Sequence, residues 1–334
     1  MSFINSKLIG SQVDATEYHG QKIPRGMHAY PMSPSALKEF GRCPNRWLHG
    51  YQSPESEAKD WGSLLDCLVL TPGLFESRYI IEPATYVNEK GETKKWSNNA
   101  KACKDWHDQQ AGKEVVKAGD IESVKAARER LLSDDVIKAF LDASDKQVMV
   151  EAQWEDEATG LTIPVRCLID LVPKTDSEYG RCLGDLKSAR DASVETFNDD
   201  GFKLGYPLQA AFDLDIYNAA TGENRNTWFF ACQESYPPYQ PAVHIYDCDG
   251  TQPGNAIVTG RVWYKWLLKQ YCKALKTGKW DGYKGAITTQ GCNVLRLKPW
   301  QEEKIMLLVA DGEYAQPTKE PKTETTEENC DTMP

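Results

Sequence analysis

Long hydrophobic runs are missing from this 334-residue sequence. No apolar stretch approaches the roughly 20 residues that a membrane-spanning helix needs. The N-terminus also lacks the charged segment followed by an apolar one that marks a secretory signal. Because 40% of the residues are hydrophobic and 26% are charged, the composition is that of an ordinary soluble protein. We therefore expect a cytoplasmic protein with no membrane partner.

Closely spaced cysteines are missing as well. The ten cysteines are spread along the chain, and no two of them form a C-x-x-C pair. Cys67, Cys167 and Cys182 stand in apolar runs, where a free thiol behaves as a small hydrophobic residue. We therefore predict neither an iron–sulfur cluster nor a zinc site, and no disulfide framework.

An excess of positive charge is also absent, since the formal net charge is −10. This argues weakly against a nucleic-acid partner, but the charge is uneven: residues 257–304 hold ten bases and three acids. Local charge steers a polyanion more than the total does. A helix is predicted in this region, and five of its apolar residues are expected to face inward: Val262, Trp263, Trp266, Leu267 and Tyr271. The helix also carries a basic ridge, at steps of three or four residues, which is either a solvated face or a track for a phosphate backbone: Arg261, Lys265, Lys269, Lys273 and Lys276.

The chain divides into three predicted parts. Residues 1–27 are read as a loosely structured arm, residues 28–312 as a single domain, and residues 313–334 as an acidic disordered tail with six acids and two lysines. Within the domain, helical patterns dominate up to about residue 143, beginning with a helix from Ser33 to Pro44. After Lys146 the period changes to that of strands, and residues 147–187 are predicted to form a three-stranded meander.

The most informative stretch holds two strands joined by a turn at residues 174–180. One strand carries Asp170, and the other carries Asp185-Leu186-Lys187. Asp185 and Lys187 point to the same side, because side chains alternate along a strand. If the hairpin brings Asp170 to the same edge, two carboxylates and one ammonium surround a space suited to Mg²⁺. The alternative is a surface salt bridge without a catalytic role, which is what most D-x-K sequences form.

Three further groups of polar residues accompany this hairpin. Asp66 stands alone in an apolar helix, and the pattern leaves open whether it lies on a polar stripe or faces the metal pocket. Glu151 falls on the face of its strand opposite the apolar residues. Tyr206, Gln209 and Asp213 lie together on one side of a later helix, away from its apolar stripe.

In this order, the residues resemble the PD-(D/E)XK nuclease superfamily, and most of all the RecE-type exonucleases, the exodeoxyribonuclease VIII-like domains common in phages. The resemblance runs from about residue 28 to residue 300. It implies an α/β (α+β) fold, with a central mixed sheet flanked by helices and a helical N-terminal half. It also implies a Mg²⁺-dependent exodeoxyribonuclease that degrades linear double-stranded DNA, 5′→3′, to leave single-stranded tails for recombination by strand annealing.

The resemblance also implies roles for particular residues. Asp170, Asp185 and the main-chain carbonyl of Leu186 would hold Mg²⁺, or Mn²⁺ in its place. Lys187 would act on the attacking water. Asp66, where the family often has histidine, would complete the set of metal ligands. Two further residues are implied as catalytic candidates, Glu151 and Gln209. Three more are implied to contact the DNA or its 5′-phosphate: Ser35, Arg42 and Tyr206.

The implied partners are the ends of duplex DNA, a RecT-type single-strand annealing protein, and further copies of the chain in a homo-oligomeric ring. A phage-encoded protein of this type would work in the cytoplasm of the host cell. Two other functions stay open. One is a related endonuclease or single-strand-specific nuclease, and the other is a DNA-binding recombination scaffold without catalysis.

Overall fold

A computed structural model of the chain describes residues 3–20, 22–51, 57–110, 112–247 and 254–283, with positions 288–289, 292–293 and 306. Its first half contains β1 (Phe3–Gly10), α1 (Ala15–His19), α2 (Pro34–Arg42), α3 (Pro44–Leu48), α4 (Glu57–Leu70), a 3₁₀ turn (Pro72–Leu74), α5 (Phe75–Arg78), β2 (Tyr79–Ile81), β3 (Thr85–Val87), β4 (Thr93–Lys95), α6 (Lys101–Gln109), β5 (Glu114–Val116), α7 (Ala118–Leu132) and α8 (Asp135–Asp142). The second half contains β6 (Ser144–Asp156), β7 (Leu161–Pro173), β8 (Cys182–Ala189), α9 (Val194–Leu204), α10 (Tyr206–Thr221), β9 (Thr227–Glu234), β10 (Pro241–Asp247) and α11 (Ala256–Thr277).

The six long strands form one sheet in the order β1-β6-β7-β8-β9-β10. Neighbouring strands are antiparallel except β8 and β9, which are parallel. A parallel pair needs a long crossover, and α9 and α10 supply it. The predicted meander is present as β6, β7 and β8, and the predicted class, a mixed sheet flanked by helices, is confirmed.

Helices cover both faces of this sheet because its strands are apolar on both sides. In β9, Trp228 and Phe230 join the core that includes residues of α2, α10 and α11. Phe229 and Ala231 point the other way, into the core formed with α4, α7 and α8. A strand buried on both faces carries a continuous apolar run rather than an alternating one.

The turn between β6 and β7 has a clear local cause. Gly160 adopts a left-handed conformation, with φ of 72°, which glycine reaches without steric cost. The Asp156 carboxylate accepts hydrogen bonds from the Thr159 amide (3.0 Å) and hydroxyl (2.6 Å). This turn pairs Asp156 with Leu161 and thereby sets the register of the whole hairpin.

Helix α2 begins as the sequence predicts. Ser33 is its N-cap, and its hydroxyl accepts a hydrogen bond from the Ala36 amide (3.2 Å). Pro34 takes the first helical position, where a missing N–H is tolerated. Leu37 and Phe40 face the core. The exposed side of the same helix is thereby turned toward the cavity described below.

The prediction of a loosely structured N-terminal arm is wrong for its first residues, because β1 is an edge strand paired with β6. The Phe3 ring anchors it, lying 5.5 Å from the Trp154 ring and 5.9 Å from the Tyr264 ring between centroids. The local sequence mixes polar and apolar residues without a clear period, and therefore gave no strand signal.

The inward face of α11 was predicted correctly at Leu267 and Tyr271, which are buried, but wrongly at two other positions. Val262 and Trp266, expected in the core, are 69% and 54% exposed, whereas Tyr264 is buried. The Arg261 guanidinium pairs with Asp215 of α10 (2.9 Å), which fixes the rotation of α11 against its neighbour. Apolar residues on two sides of this helix made its core face ambiguous in the sequence.

The basic ridge of α11 is partly used inside the fold. Besides Arg261, Lys276 donates a hydrogen bond to the Thr159 carbonyl (2.7 Å). Lys269 and Lys273 are exposed to solvent. Binding of a phosphate backbone along this ridge stays a prediction. Fewer of its basic side chains are available for it than the sequence suggested, because Arg261 and Lys276 make contacts within the fold.

By its internal contacts the chain divides into two units, Met1–Gly282 and Tyr283–Pro334. In the second, the described residues include two short antiparallel strands, Thr288–Thr289 and Cys292–Asn293. The predicted acidic tail, 313–334, lies outside the described residues, and the domain bounds of 28 and 312 stay predictions. Within the described part of the chain, no helix has the length and hydropathy needed to cross a bilayer.

Candidate active site

A cavity of about 210 Å³ opens where the sheet, α1, α2, α4 and α10 meet. It lies beside the point at which β7 and β8 separate, since these strands pair only at Leu171 and Gly184. Seven residues that the sequence singled out lie in its lining: Ser35, Asp66, Asp170, Asp185, Leu186, Lys187 and Gln209.

Asp185 and Lys187 lie on the same side of β8, as strand alternation predicts, and their side chains form an ion pair. Asp185 is almost fully buried. Burial is the largest single influence and would lower the pKa of Lys187, but the charges of Asp185, Tyr206 and Asp170 and the hydrogen bond to Asp185 together raise that pKa above its usual value. Lys187 therefore stays protonated near neutral pH, and is a cation in this cavity rather than a base.

Asp170 lies on β7, across the gap from β8. Its Oδ1 accepts a hydrogen bond from Gln147 Nε2 (2.9 Å), and its Oδ2 accepts one from the Leu186 amide (3.1 Å). Burial, and then the charge of Asp185, raises the pKa of Asp170 well above its usual value. Because the N–H and C=O of one strand residue point to the same edge, the Leu186 carbonyl also faces the gap.

Asp66 reaches the cavity from α4 and lines it beside Asp170 and Asp185, whereas its role as a metal ligand stays a prediction. A glycine one turn earlier lets α4 approach β8: a Cβ at Gly62 would lie 2.7 Å from the Ser188 hydroxyl oxygen. Burial raises the pKa of Asp66 to about 7; Lys187 opposes this rise, and Asp185 adds to it.

Three predicted residues are not in the cavity lining. The Glu151 side chain is 38% exposed and pairs with Lys7 of β1 (3.4 Å). Arg42 is exposed and pairs with Glu39 (2.8 Å) on its own helix. Tyr206 is outside the lining, but its ring centroid lies 5.2 Å from Lys187 Nζ, so it contacts a residue of the candidate site.

Three residues near the site were not assigned a role from the sequence. Gln147 lines the cavity and holds Asp170, as described above. Asp213, which the sequence placed beside Gln209, lines the cavity and is almost fully buried; burial raises its pKa well above the usual value. Lys38 donates to Gln209 Oε1 (3.4 Å), and burial, with the charge of Lys187, lowers its pKa to about 8.

A signal for Lys38 was present in the sequence, since it follows Ser35 by three residues on α2 and therefore shares its face. For Gln147, the residue type alone gave no signal of a role in the site. Its position opposite Asp170 follows from the register of the β6–β7 hairpin.

The donor set suits a hard divalent cation. Asp66, Asp170, Asp185 and the Leu186 carbonyl offer oxygen atoms only, the ligands that Mg²⁺ and Mn²⁺ prefer. Within the described residues, no three His, Cys, Asp or Glu side chains already stand grouped to hold a metal; Asp185, for example, is paired with Lys187. Burial disfavours negative charge on Asp66 and Asp170, since it raises the pKa of both, and a bound cation would offset that charge.

Comparison with known proteins gives one match to a family model. Residues 33–289 match the family described as a PDDEXK-like domain of unknown function (DUF3799). No curated protein matches the sequence.

Solved structures give more distant likenesses. A candidate exonuclease from Eubacterium rectale is 18% identical, with a TM-score of 0.49 over 90% of this chain and 99% of that one. The protein SSO0001 is 13% identical, with a TM-score of 0.23 over 70% and 84% of the two chains. Rai1 of Scheffersomyces stipitis, solved with 3′-NADP⁺ and calcium, is 12% identical, with a TM-score of 0.24 over 79% and 75%. All these TM-scores are below 0.5, so the structures carry no argument about activity.

Proposed function

The chain belongs to the family of PDDEXK-like domains (DUF3799), and from this premise we propose that it is a divalent-cation-dependent exodeoxyribonuclease that degrades linear duplex DNA. Family membership supports the coarser assignment, a nuclease. The cation, the substrate and the mode of attack belong to the proposal.

One observation carries the proposal. Strands β7 and β8 bring Asp170, Asp185 and Lys187 to a single cavity, although the turn between the two strands separates them in sequence. Buried ionisable groups of opposite sign are costly and tend to gather at functional sites. A surface salt bridge, the bland alternative for D-x-K, would not bury Asp185 almost completely.

Under this proposal Asp66, Asp170, Asp185 and the Leu186 carbonyl hold Mg²⁺ or Mn²⁺. The cation would stabilise negative charge on the attacking oxygen, which comes from water, and on the leaving oxygen of the phosphodiester. Hydrolysis forms a bond between a water oxygen and phosphorus, breaks the bond to one ester oxygen, and leaves a proton on that oxygen.

Lys187 acts in this proposal as a positioned cation. Its ammonium is held by Asp185 and lies over the Tyr206 ring. With its pKa raised, it donates hydrogen bonds to the attacking water or to a non-bridging phosphate oxygen rather than taking a proton.

The cavity mouth would hold a neighbouring phosphate of the DNA. Ser35 is exposed there on α2, and Lys38 lies one turn along the same helix. Because Gln209 Oε1 accepts from Lys38, its amide nitrogen is left to donate toward the cavity. Arg42, the cation that the resemblance suggested for a 5′-phosphate, lies farther out and is already paired with Glu39.

The finer parts of the proposal rest on the sequence resemblance to RecE-type exonucleases. They are attack in the 5′→3′ direction, single-stranded tails as the product for recombination, a RecT-type annealing partner, and assembly into a ring. Each can fail without the nuclease assignment failing.

The test is digestion of end-labelled linear duplex, closed circular duplex and single-stranded DNA by the purified chain, with Mg²⁺ or with EDTA. We expect only the linear duplex to be shortened, and only with Mg²⁺. Nicking of circular DNA would instead indicate an endonuclease, and digestion of single strands alone would indicate the single-strand-specific alternative. Binding of DNA without any cleavage would indicate a scaffold.

Two variants tie the activity to the site. Asp185→Ala should abolish cleavage, and Lys187→Ala should lower the rate at least ~10²-fold, the range for loss of one hydrogen-bond donor positioned at the reacting atoms. Mg²⁺-dependent cleavage that survives in Asp185→Ala would contradict the assignment of this cavity.

A further inference from the structure

Gln147 has an unusual backbone for a residue inside a strand. Its φ is 51°, in the left-handed region that a long side chain rarely adopts. Strands β6 and β7 keep one register on both sides of it, with Lys146 opposite Leu171 and Val148 opposite Ile169. Gln147 and Asp170 therefore stand directly opposite each other, but they are left out of the ladder of backbone pairs.

The surrounding backbone holds this conformation in place. The segment that follows β1 crosses the end of β6, where the Gln12 amide donates to the Lys146 carbonyl (2.7 Å) and the Val13 amide donates to the Gln147 carbonyl (3.1 Å). A left-handed conformation is unfavourable for such a residue, and it persists only where neighbours impose it.

The side chain carries a second local cost. Gln147 is 6% exposed and lines the cavity. Its Nε2 donates to Asp170 Oδ1, whereas its Oε1 is buried without a hydrogen-bond partner among the described residues. A buried acceptor left unpaired loses the hydrogen bonds that water gives it in the unfolded chain, and this destabilises the fold. Two such costs fall on one side chain that faces the candidate site.

We propose that Gln147 is a ligand of the divalent cation, through its amide oxygen Oε1. The inference rests on the proposed function, since it concerns the same cation. Amide oxygens are ordinary ligands of hard cations, and they add no negative charge. The contact through Nε2 leaves Oε1 beside the carboxylate of Asp170, so one side chain both orients an acidic ligand and supplies a neutral one.

This assignment differs from the one that the sequence suggested for β6. Glu151 is on the same face of the strand as Gln147, but four residues farther along, roughly 13 Å at the usual rise. It lies opposite Arg166 rather than Asp170. The two residues therefore make a matched pair for experiment: one strand, side chains of similar length, and one of them in the cavity.

The test is calorimetric titration of the full chain with Mn²⁺ and with Mg²⁺. A second measurement is the rise in melting temperature that each ion produces. Gln147→Met keeps the length of the side chain and removes the amide, and it should weaken cation binding at least 10-fold. Gln147→Glu keeps an oxygen but loses the donor to Asp170, and it should bind the cation at least as tightly as the wild type. Glu151→Gln, the control, should stay within twofold.

The Glu variant separates a ligand from an orienting residue. If Gln147 only orients Asp170, Gln147→Glu will lose affinity as Gln147→Met does, and the proposal is overturned. Unchanged affinity in Gln147→Met overturns it equally. If Gln147→Met does not fold, Gln147→Asn replaces it, because asparagine tolerates the left-handed region and is too short to reach both partners.

Failure of the proposed function has a different signature. A wild-type chain that binds neither ion, and is not stabilised by either, would remove the cation site as a whole. Tight binding by the wild type with no response to substitution at Gln147 would remove the present inference alone.

Discussion

The pKa of Asp66 leads to a prediction in which one substitution stabilises the cation-free protein and weakens its response to the cation. Burial raises this pKa to about 7, from an unperturbed value near 3.9. At pH 8 the carboxylate is ionised in both the folded and the unfolded chain, and only the folded chain carries the cost of burying that charge. Asp66→Asn has the same shape as the protonated acid and carries no charge.

The shift sets an upper limit to the effect. It is about 3 pKa units, and each unit corresponds to about 1.4 kcal/mol, so the buried charge costs on the order of 4 kcal/mol at most. Because the folded-state pKa is the higher one, the folded chain binds the proton more tightly. Stability from this proton is therefore fully present below about pH 4 and is lost as the pH rises through 7.

Urea unfolding at pH 5 and pH 8 in EDTA measures the difference. We expect Asp66→Asn to be more stable than the wild type at pH 8, by up to the limit above, and the gap to shrink at pH 5. Mg²⁺ should then narrow this gap: a ligand at 100 times its Kd stabilises the wild type by about 2.7 kcal/mol, and the variant should gain less. Glu151→Gln, which changes an exposed carboxylate, should behave as the wild type throughout.

Two results would refute this reasoning. Equal stability of the wild type and Asp66→Asn at both pH values would mean that the carboxylate is not held in a place that disfavours its charge. Equal stabilisation of the two proteins by Mg²⁺ would mean that Asp66 does not contact the cation.

Two further predictions concern the neighbours of the site. Lys38→Gln should raise the KM for duplex DNA at least 10-fold, while Arg42→Gln should change it less than twofold. Because burial lowers the pKa of Lys38 to about 8, the KM of the wild type should also rise above pH 8. Lys38→Arg should not show this rise with pH, since arginine stays protonated. Equal effects at the two positions would count against a phosphate site at Lys38. Gly62→Ala should cost about 1–3 kcal/mol of overpacking in urea unfolding, offset by about 1 kcal/mol of helix propensity. Adding Ser188→Ala should restore stability, since the next nearest atom, the Ser188 Cβ, lies at 3.7 Å; a double variant no better than the single one would contradict the close approach of α4 to β8.

The strands and the turn that carry the candidate site were predictable from the sequence, because they depend on local patterns. The strand bounds of β7 and β8, the turn between them and the shared side of Asp185 and Lys187 all follow from period-2 alternation and turn residues. So does the face of α10 that carries Gln209 and Asp213, which a period of 3.6 places together.

The remaining errors arose where tertiary contacts override a local pattern. Strand β1 has a weak sequence signal and forms because β6 offers it an edge. Helix α11 has two apolar sides, and its pairing with α10 decides which one is buried. Gln147 was not considered as a site residue, because carboxylates are the expected ligands. The turn that pairs Asp156 with Leu161 nevertheless places Gln147 opposite Asp170, by counting back along the hairpin.

The cavity draws its walls from Ala15 of α1 through to Asp213 of α10, and β1 finds its partner only in β6. On the ribosome, the first strand therefore emerges long before the strand that receives it, and contacts so distant in sequence form slowly. A growing chain that has not yet released α10 has no complete pocket for a cation or for DNA. Under the proposed function, fragments that end before α10 would therefore lack the cleavage activity.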